Sequence, residues 1–399
     1  MGELINTLNK FSNEVFLYIT GENKPDNCLL VKKHDDNLKT HGDFSFPNNV
    51  KPWLAYLHNC KSNDGKCILE YIGMDKDGSG LVEASIKWVI PVNKVIEEKD
   101  RIEMFLDRTI AIKIGFSEAA RNNTILSKKM KVNENPRVIT NDDGSSVTSL
   151  RVVCVANAVR ELFKIHLQDK FPNRENTRIL VTSKTPVKSS ETKELCSFLC
   201  GPVINVKTST KETTIDAEEF AKIRASEMSL IAQHKYGVRM PKHKLDIFAN
   251  KLGTAAAKFE LLQTKPGSPV KINFNYSTAG SSKGAAFVLY NCARLQTLIQ
   301  SFNDKVTSGV YPPLPEYNKI DFSLLTQEEE WIIIFNYILG FPCMLHSCVE
   351  LNEKRCDFKP HMVCNFLSSM VKVFSQYYRR SRILTVSQTG YKHWVRCIG

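Results

Sequence analysis

Leu4, Leu8, Phe11 and Val15 recur at three- and four-residue intervals, a spacing that predicts an amphipathic helix at the start of the chain. Two apolar runs follow, 67–72 and 81–90, both rich in residues that suit strands. The stretch between them, Asp75-Lys76-Asp77-Gly78-Ser79-Gly80, imitates a calcium loop, but Ile86 stands where the bidentate Glu would be, so a hairpin turn is expected. The middle of the chain alternates in the α/β manner. A strand over 151–155 runs into a helix through Leu167, strands follow at 178–182 and 203–206, and a small parallel sheet is predicted. Polar, turn-rich stretches at 133–146 and 208–216 mark loops or seams.

From Asp216 the pattern is helical: 217–235, then 245–262 ended by Pro266-Gly267, a strand-like run 270–276, and longer helices near 284–303, 327–339 and 360–383. The segment Tyr311-Pro312-Pro313-Leu314-Pro315 suits polyproline II, as a stiff connector or as an SH3-type ligand. In the helix at 284–303, Val288, Cys292, Leu295, Ile299 and Phe302 form an expected buried stripe that leaves Asn291 and Arg294 outside. In the last helix Val363, Leu367, Met370, Phe374 and Tyr377 form the core face. Asn365, Ser369, Lys372, Gln376 and Arg379 line the other side, and Arg380 and Arg382 extend its positive charge. Such a ridge can follow a phosphate backbone while Tyr378 stacks on an unpaired base. It can equally be a solvated face whose terminal arginines complement the helix dipole.

Composition narrows the choice. The 399 residues exceed what one core usually serves, and 42% hydrophobic with 24% charged residues are ordinary globular values. No apolar run approaches a membrane span, since the stretch from Trp331 to Leu339 is short and broken by Asn336, and the N-terminus lacks a signal pattern. The 12 cysteines are too sparse for a disulfide scaffold, which favours a reducing, cytoplasmic setting. Cys343, Cys348, Cys356 and Cys364, with His346 and His361, lack the short spacing of a zinc site, so no metal is expected there. The net charge of +12 favours a polyanionic partner, nucleic acid first. No P-loop, GxGxxG or GxSxG string occurs.

Several strings decide between the two readings of the ridge. Phe287-Val288-Leu289-Tyr290-Asn291-Cys292-Ala293-Arg294-Leu295, Phe341-Pro342, Pro360-His361, Asn365-Phe366-Leu367, Phe374-Ser375-Gln376-Tyr377-Tyr378 and Arg382-Ile383-Leu384 together resemble the DALR anticodon-binding domain of arginyl-tRNA synthetases. Leu252-Gly253-Thr254 with Lys258-Phe259 resembles the segment that enters that domain, and His41-Gly42-Asp43-Phe44 resembles the family's appended N-terminal domain. Ser149-Leu150-Arg151-Val152-Val153 resembles the stretch after the HxGH nucleotide signature, but at the signature itself this chain has Ser146-Val147-Thr148-Ser149. Those histidines donate hydrogen bonds to charge developing on ATP phosphate, a task that short hydroxyls do not fill. The one KMSK-like string, Lys128-Lys129-Met130-Lys131, precedes the signature position and reads as a solvated basic turn.

The resemblance implies a degenerate class I synthetase-like, Rossmann-type α/β frame, a small α+β N-terminal domain and an all-α C-terminal DALR bundle. The corresponding division is 1–100, 101–282 and 283–399. Similarity is strongest to synthetase-like DALR-domain proteins without aminoacylation activity, which bind arginine tRNAs and bring them to the tRNA 3-methylcytidine methyltransferase. The tRNA-contacting set expected on that basis is Lys283, Tyr290, Arg294, Lys372, Gln376, Tyr378, Arg379, Arg380 and Arg382. No catalytic, cofactor or metal residue is expected. The alternatives are a divergent, ATP-dependent arginine–tRNA ligase and an interaction module that has lost RNA binding. Synthetases continue into a further apolar helix where this chain has 388–399, with Lys392, Trp394 and Arg396.

Overall fold

Asn6 caps the first helix, α1 (Thr7–Thr20), by accepting a hydrogen bond from the Asn9 amide, and Gly21 closes it in the left-handed region. Leu8, Phe11 and Val15 are buried as their spacing requires. The computed structural model describes residues 3–25, 28–57, 67–131, 137–170, 178–184, 195–236, 241–275, 283–352, 355–381 and 384. They fall into two units. One comprises Leu4–Thr124, Pro313–Cys343 and Gln376–Gly399; the other comprises Met1–Glu3, Ile125–Pro312 and Met344–Ser375.

In the first unit the chain continues through β1 (Lys32–Lys33), α2 (Leu38–His41), β2 (Phe44–Pro47), α3 (Ile68–Tyr71), α4 (Ser79–Ser85), β3 (Val92–Glu98), β4 (Arg101–Leu106) and the start of α5 (Arg108–Met130). The strands form an antiparallel sheet in the order β1-β2-β4-β3. Phe11 and Phe16 of α1 pack with Phe44, Phe46, Trp53 and Met104 in its core. The runs at 67–72 and 81–90 are not a hairpin. Cys67 and Glu70 form a reciprocal capping box that starts α3, and Asp77 accepts from the Ser79 amide at the start of α4. These local bonds give the backbone a helical alternative that outweighs strand propensity.

The second unit holds a parallel sheet, β5 (Arg137–Ile139), β6 (Arg178–Thr182) and β7 (Leu195–Leu199), with α6 (Val147–Lys170) connecting its first two strands. Residues 151–155, expected as a strand, lie inside α6, because Ser146 caps the helix upstream of them. The segment expected as strand 203–206 is β8 (Val203–Asn205), which pairs in parallel not with that sheet but with the distant β9 (Val270–Ile272). Between β8 and β9 lie α7 (Ala217–Tyr236) and α8 (Lys242–Leu262). A Cβ on Gly253 of α8 would sit 2.4 Å from the backbone nitrogen of Ala225 in α7. The glycine of the Leu252-Gly253-Thr254 string is therefore needed for close helix packing.

Two buried arginines hold this unit together. Arg151 is 0% exposed and donates to the carbonyls of Leu261 (3.2 Å), Gly201 (2.7 Å), Ser268 (2.8 Å), Thr264 (3.4 Å) and Lys265 (3.2 Å). Arg224 of α7 grips both oxygens of Glu260 on α8 (2.8 and 3.2 Å), one oxygen of Glu227 (3.1 Å) and the Asn273 carbonyl (2.9 Å). Burial raises the Glu260 pKa, and Arg224 pulls it back toward the ionised form.

The C-terminal third begins with α9 (Lys283–Thr307) in the second unit. In the first unit, α10 (Glu328–Ile332) runs into a π-helical turn, Ile333–Ile338. Trp331, Ile334, Phe335 and Leu339 enter the core, so the apolar run at 331–339 is an interior helix. Then come α11 (Phe341–Ser347), the antiparallel hairpin β10 (Val349–Asn352) and β11 (Arg355–Phe358), and α12 (His361–Arg380). Among the described residues of this region, the regular elements are helical except for that hairpin. Among the described residues, no helix is long and apolar enough to cross a membrane.

In the His41-Gly42-Asp43-Phe44 string, Gly42 has φ +70°, and a Cβ there would lie 2.6 Å from the Met104 carbonyl oxygen. The turn carries Asp43 inward to accept from the Leu106 amide (2.8 Å) and Trp331 Nε1 (2.7 Å). Burial raises its pKa to about 6, against the opposing effect of those hydrogen bonds.

Two outcomes follow. Arg151→Met leaves several buried carbonyls without a donor and is expected to cost on the order of 3 kcal/mol or more in denaturant unfolding. For Asp43, the folded carboxyl keeps its proton to higher pH than the unfolded one, whose pKa is near 3.8. Its stabilising effect is complete below that value and is lost as pH rises through about 6, on the order of 3 kcal/mol. Asp43→Asn is expected to flatten this part of the melting-temperature profile between about pH 4 and 6.

Candidate nucleic-acid interface

On α9 the expected stripe is only partly right. Val288 is buried, but Cys292 is exposed and Ile299 is 51% exposed, whereas Asn291, expected outside, is 0% exposed and donates to the Phe287 carbonyl at 2.9 Å. A short amide that closes its own hydrogen bond within the helix can be buried without a distant partner, which hydrophobic spacing does not anticipate. Arg294 is half-buried, lies over the Tyr290 ring at 4.5 Å and donates to the Tyr290 hydroxyl and to Asn291 Oδ1 (3.4 Å). Tyr290 and Arg294 thus form a stacked pair one helical turn apart. Lys283 is the first residue of α9, and its side chain lies outside the described residues.

α12 separates covered from solvated positions. Asn365, Ser369, Lys372, Gln376 and Arg379 are all exposed, as expected. On the other side Tyr377 is buried, while Val363, Leu367, Met370 and Phe374 are half-buried; the fully covered positions include Cys364 and Val371. Tyr378 is half-buried, and Arg382 lies outside the described residues. Arg380 is exposed and paired with Glu329, so its charge is partly committed within the protein. The partner belongs to the acidic first turn of α10, where Glu328, Glu329 and Glu330 complement the helix dipole. Glu330 is buried and accepts from the Tyr377 hydroxyl at 3.0 Å, and Ser381 donates to Gln327 at 3.2 Å. These bonds fix the end of α12.

Ser146, Thr148 and Ser149, in the string compared above with the synthetase signature, have local roles. Ser146 Oγ accepts from the Ser149 amide (3.1 Å), and buried Thr148 accepts from the Val203 amide (3.1 Å). Ser149 Oγ donates to Asp143 (3.0 Å) and accepts from the Gly144 amide (2.6 Å). Val147 is fully buried between them. Lys128-Lys129-Met130 forms the end of α5 instead of a solvated turn, and Lys129 is buried, donating to the Ile165 carbonyl at 2.8 Å. A helix end with a carbonyl in reach lets the lysine bury its stem.

The six cysteines and histidines weighed for zinc form no metal-holding group among the described residues, and the Cys356 side chain lies outside them. Cys343 donates to Asn6 at 3.0 Å. Burial pushes the Cys364 thiol up to about 12.

The first unit also holds a cleft of about 560 Å³, lined by Lys39, Asn93, Lys94, Phe105, Arg108 and Thr326 among others, that no sequence pattern anticipates. Lys94 lies over the Phe105 ring at 4.3 Å, and Arg108 is paired in bidentate fashion with Glu328 (2.8 and 3.3 Å). The residues come from four separate segments, so no string announces the cleft.

Residues 288–393 match the family profile of the DALR anticodon binding domain. This chain carries a DALR domain on an arginyl-tRNA synthetase-like fold. The DALR anticodon-binding domain-containing protein 3 of Danio rerio is 34% identical over 194 residues, covering 47% of this chain and 34% of that protein. The protein of the same name from Rattus norvegicus is 32% identical over 195 residues, covering 47% and 35%. The matched stretch is thus about a third of the length of these curated relatives. The arginyl-tRNA synthetase of Plasmodium falciparum superposes with a TM-score of 0.56 at 10% identity, covering 99% of this chain and 96% of that one. The DALR profile contains Tyr290, Arg294 and the whole of α12.

Arg294 is half-buried and stacks on Tyr290 of its own helix, so Arg294→Ala is expected to cost on the order of 1 kcal/mol of stability. Thermal unfolding by circular dichroism, run beside tRNA titration, checks that a loss of affinity in this variant does not come from unfolding.

Proposed function

We propose that this protein is a non-catalytic tRNA-binding adaptor, and that segment 283–399 recognises arginine tRNAs through its DALR domain. One observation carries the reading: within the DALR-matching stretch, α12 presents Lys372, Gln376 and Arg379 on a single exposed face. Phosphate oxygens would meet Lys372 and Arg379, and Gln376 offers an amide to a base edge or ribose. Tyr290, Arg294 and Tyr378 supply aromatic and guanidinium planes for unpaired anticodon-loop bases. Lys283, Arg380 and Arg382 would add charge at the ends of the two helices. No cofactor is required for this activity.

The adaptor reading also assigns a destination. The bound tRNA would be brought to a tRNA 3-methylcytidine methyltransferase acting in the anticodon loop, in the cytoplasm. The hydroxyls at 146, 148 and 149 support a role without catalysis, because using them on ATP phosphate would break the bonds that begin α6. The second reading, a divergent arginine–tRNA ligase, draws on the likeness to synthetases along nearly the whole chain.

Gel-shift titration tests the first reading. Arginine tRNAs are expected to bind more tightly than unrelated tRNAs, and Lys372→Ala with Arg379→Ala to weaken binding and lower the slope of log affinity against log salt by roughly 1 to 2. Unchanged affinity and slope would remove α12 from the interface. Arginine-dependent ATP–pyrophosphate exchange above background would favour the ligase. Reconstitution with the methyltransferase and an arginine tRNA tests the destination, with 3-methylcytidine formation expected to depend on this protein.

A further inference from the structure

The sheet of the first unit carries a polar cluster that tRNA binding does not use. Glu103 of β4 lies opposite Ile96 of β3, so Glu98, two residues along, is its diagonal neighbour on the same face. His41, at the end of α2, reaches this face with Nδ1 3.3 Å from Glu103 Oε1. One potential ligand atom from each of His41, Glu98 and Glu103 lies within 4.8 Å of the other two.

A second observation points to a missing occupant. Glu103 is 6% exposed, and its Oε2 is buried with no hydrogen-bond partner. The nearby cation Arg101 directs its donors elsewhere: Nε to Ser45 Oγ at 2.8 Å, and Nη2 to the Ser45 carbonyl at 3.0 Å and the Leu30 carbonyl at 3.5 Å. His34, the other imidazole nearby, is bonded through Nε2 to Ser45 Oγ at 2.7 Å. Native proteins rarely leave a covered carboxylate oxygen without a hydrogen, a cation or a water.

We propose that His41, Glu98 and Glu103 bind a divalent transition-metal ion of the zinc type. The donor set selects the class. One imidazole nitrogen with two carboxylates suits zinc or its neighbours in the first transition row, whereas calcium and magnesium prefer oxygen throughout. The buried Glu103 forms the floor of the site. His41 and Glu98 are exposed and close over it, which leaves a fourth position facing solvent for water or another oxygen ligand. The ion ties the end of α2 to the β3–β4 hairpin. Ligation needs the neutral imidazole, so binding weakens as the solution is acidified.

The protein also holds 12 cysteines, so the test must separate thiolate from nitrogen and oxygen ligation. Metal-free full-length chain is titrated with Co²⁺ and with Zn²⁺ alongside His41→Ala, Glu98→Gln and Glu103→Gln. The first two changes are at exposed positions and leave the core intact. The difference spectrum between the unaltered protein and His41→Ala is expected to show cobalt d–d bands without thiolate charge transfer. Each exposed variant should bind this ion at least about tenfold more weakly and lose the Zn²⁺-induced rise in melting temperature. Equal affinity and equal thermal response in the unaltered protein and both exposed variants would overturn the site, as would a cobalt spectrum made up of thiolate charge transfer alone.

Discussion

A guanidinium sealed from water persists only where its N–H groups meet oxygens, and Arg151 meets five main-chain carbonyls. Those carbonyls come from the end of α8, the turn after it and the start of the chain entering β8. One side chain of α6 therefore fixes where α8 stops and how the 264–268 turn approaches residue 201. The same turn leads into β9, whose pairing with β8 returns the chain across more than 60 residues. Arg224 repeats the principle between α7 and α8 with two carboxylates beside one carbonyl, and Gly253 lets those helices approach closely enough for it to work.

At the start of α6 the polar side chains are taken up by the fold. Here Ser146 and Ser149 complete the helix cap, Thr148 orients β8, and Val147 fills the interior. Each of these residues serves the capping or packing of the helix. The exposed cationic face proposed for RNA lies on α12, whose end is held by Tyr377, Arg380 and Ser381 against α10. Anchoring of this kind reduces the freedom lost when a phosphate is bound.

Arg380 shows that positive residues on a ridge are not equivalent. The acidic first turn of α10 holds Arg380 in an ion pair with Glu329. Lys372 and Arg379 belong to the exposed face that continues the spacing of Asn365 and Ser369. Arg294 is different again, because its guanidinium lies over Tyr290 and presents a plane more than a point charge.

Periodicity by itself located α1, α7, α8, α9 and α12, since the alternation of covered and solvated positions along a helix is written in consecutive residues. The DALR strings were equally legible, because each is a matter of residue type at adjacent positions. Tertiary structure alone decided the rest. It turned 67–72 and 151–155 into helix, through caps at Cys67–Glu70 and Ser146 that pattern counting does not weigh. It buried Asn291, Arg151 and Lys129, each a polar residue whose oxygen or hydrogen partners appear only once the backbone is folded around it. It also brought His41, Glu98 and Glu103 to one sheet face, and Lys39, Lys94 and Phe105 to one cleft. Strand register and chain return create those neighbours, and neither is local in sequence.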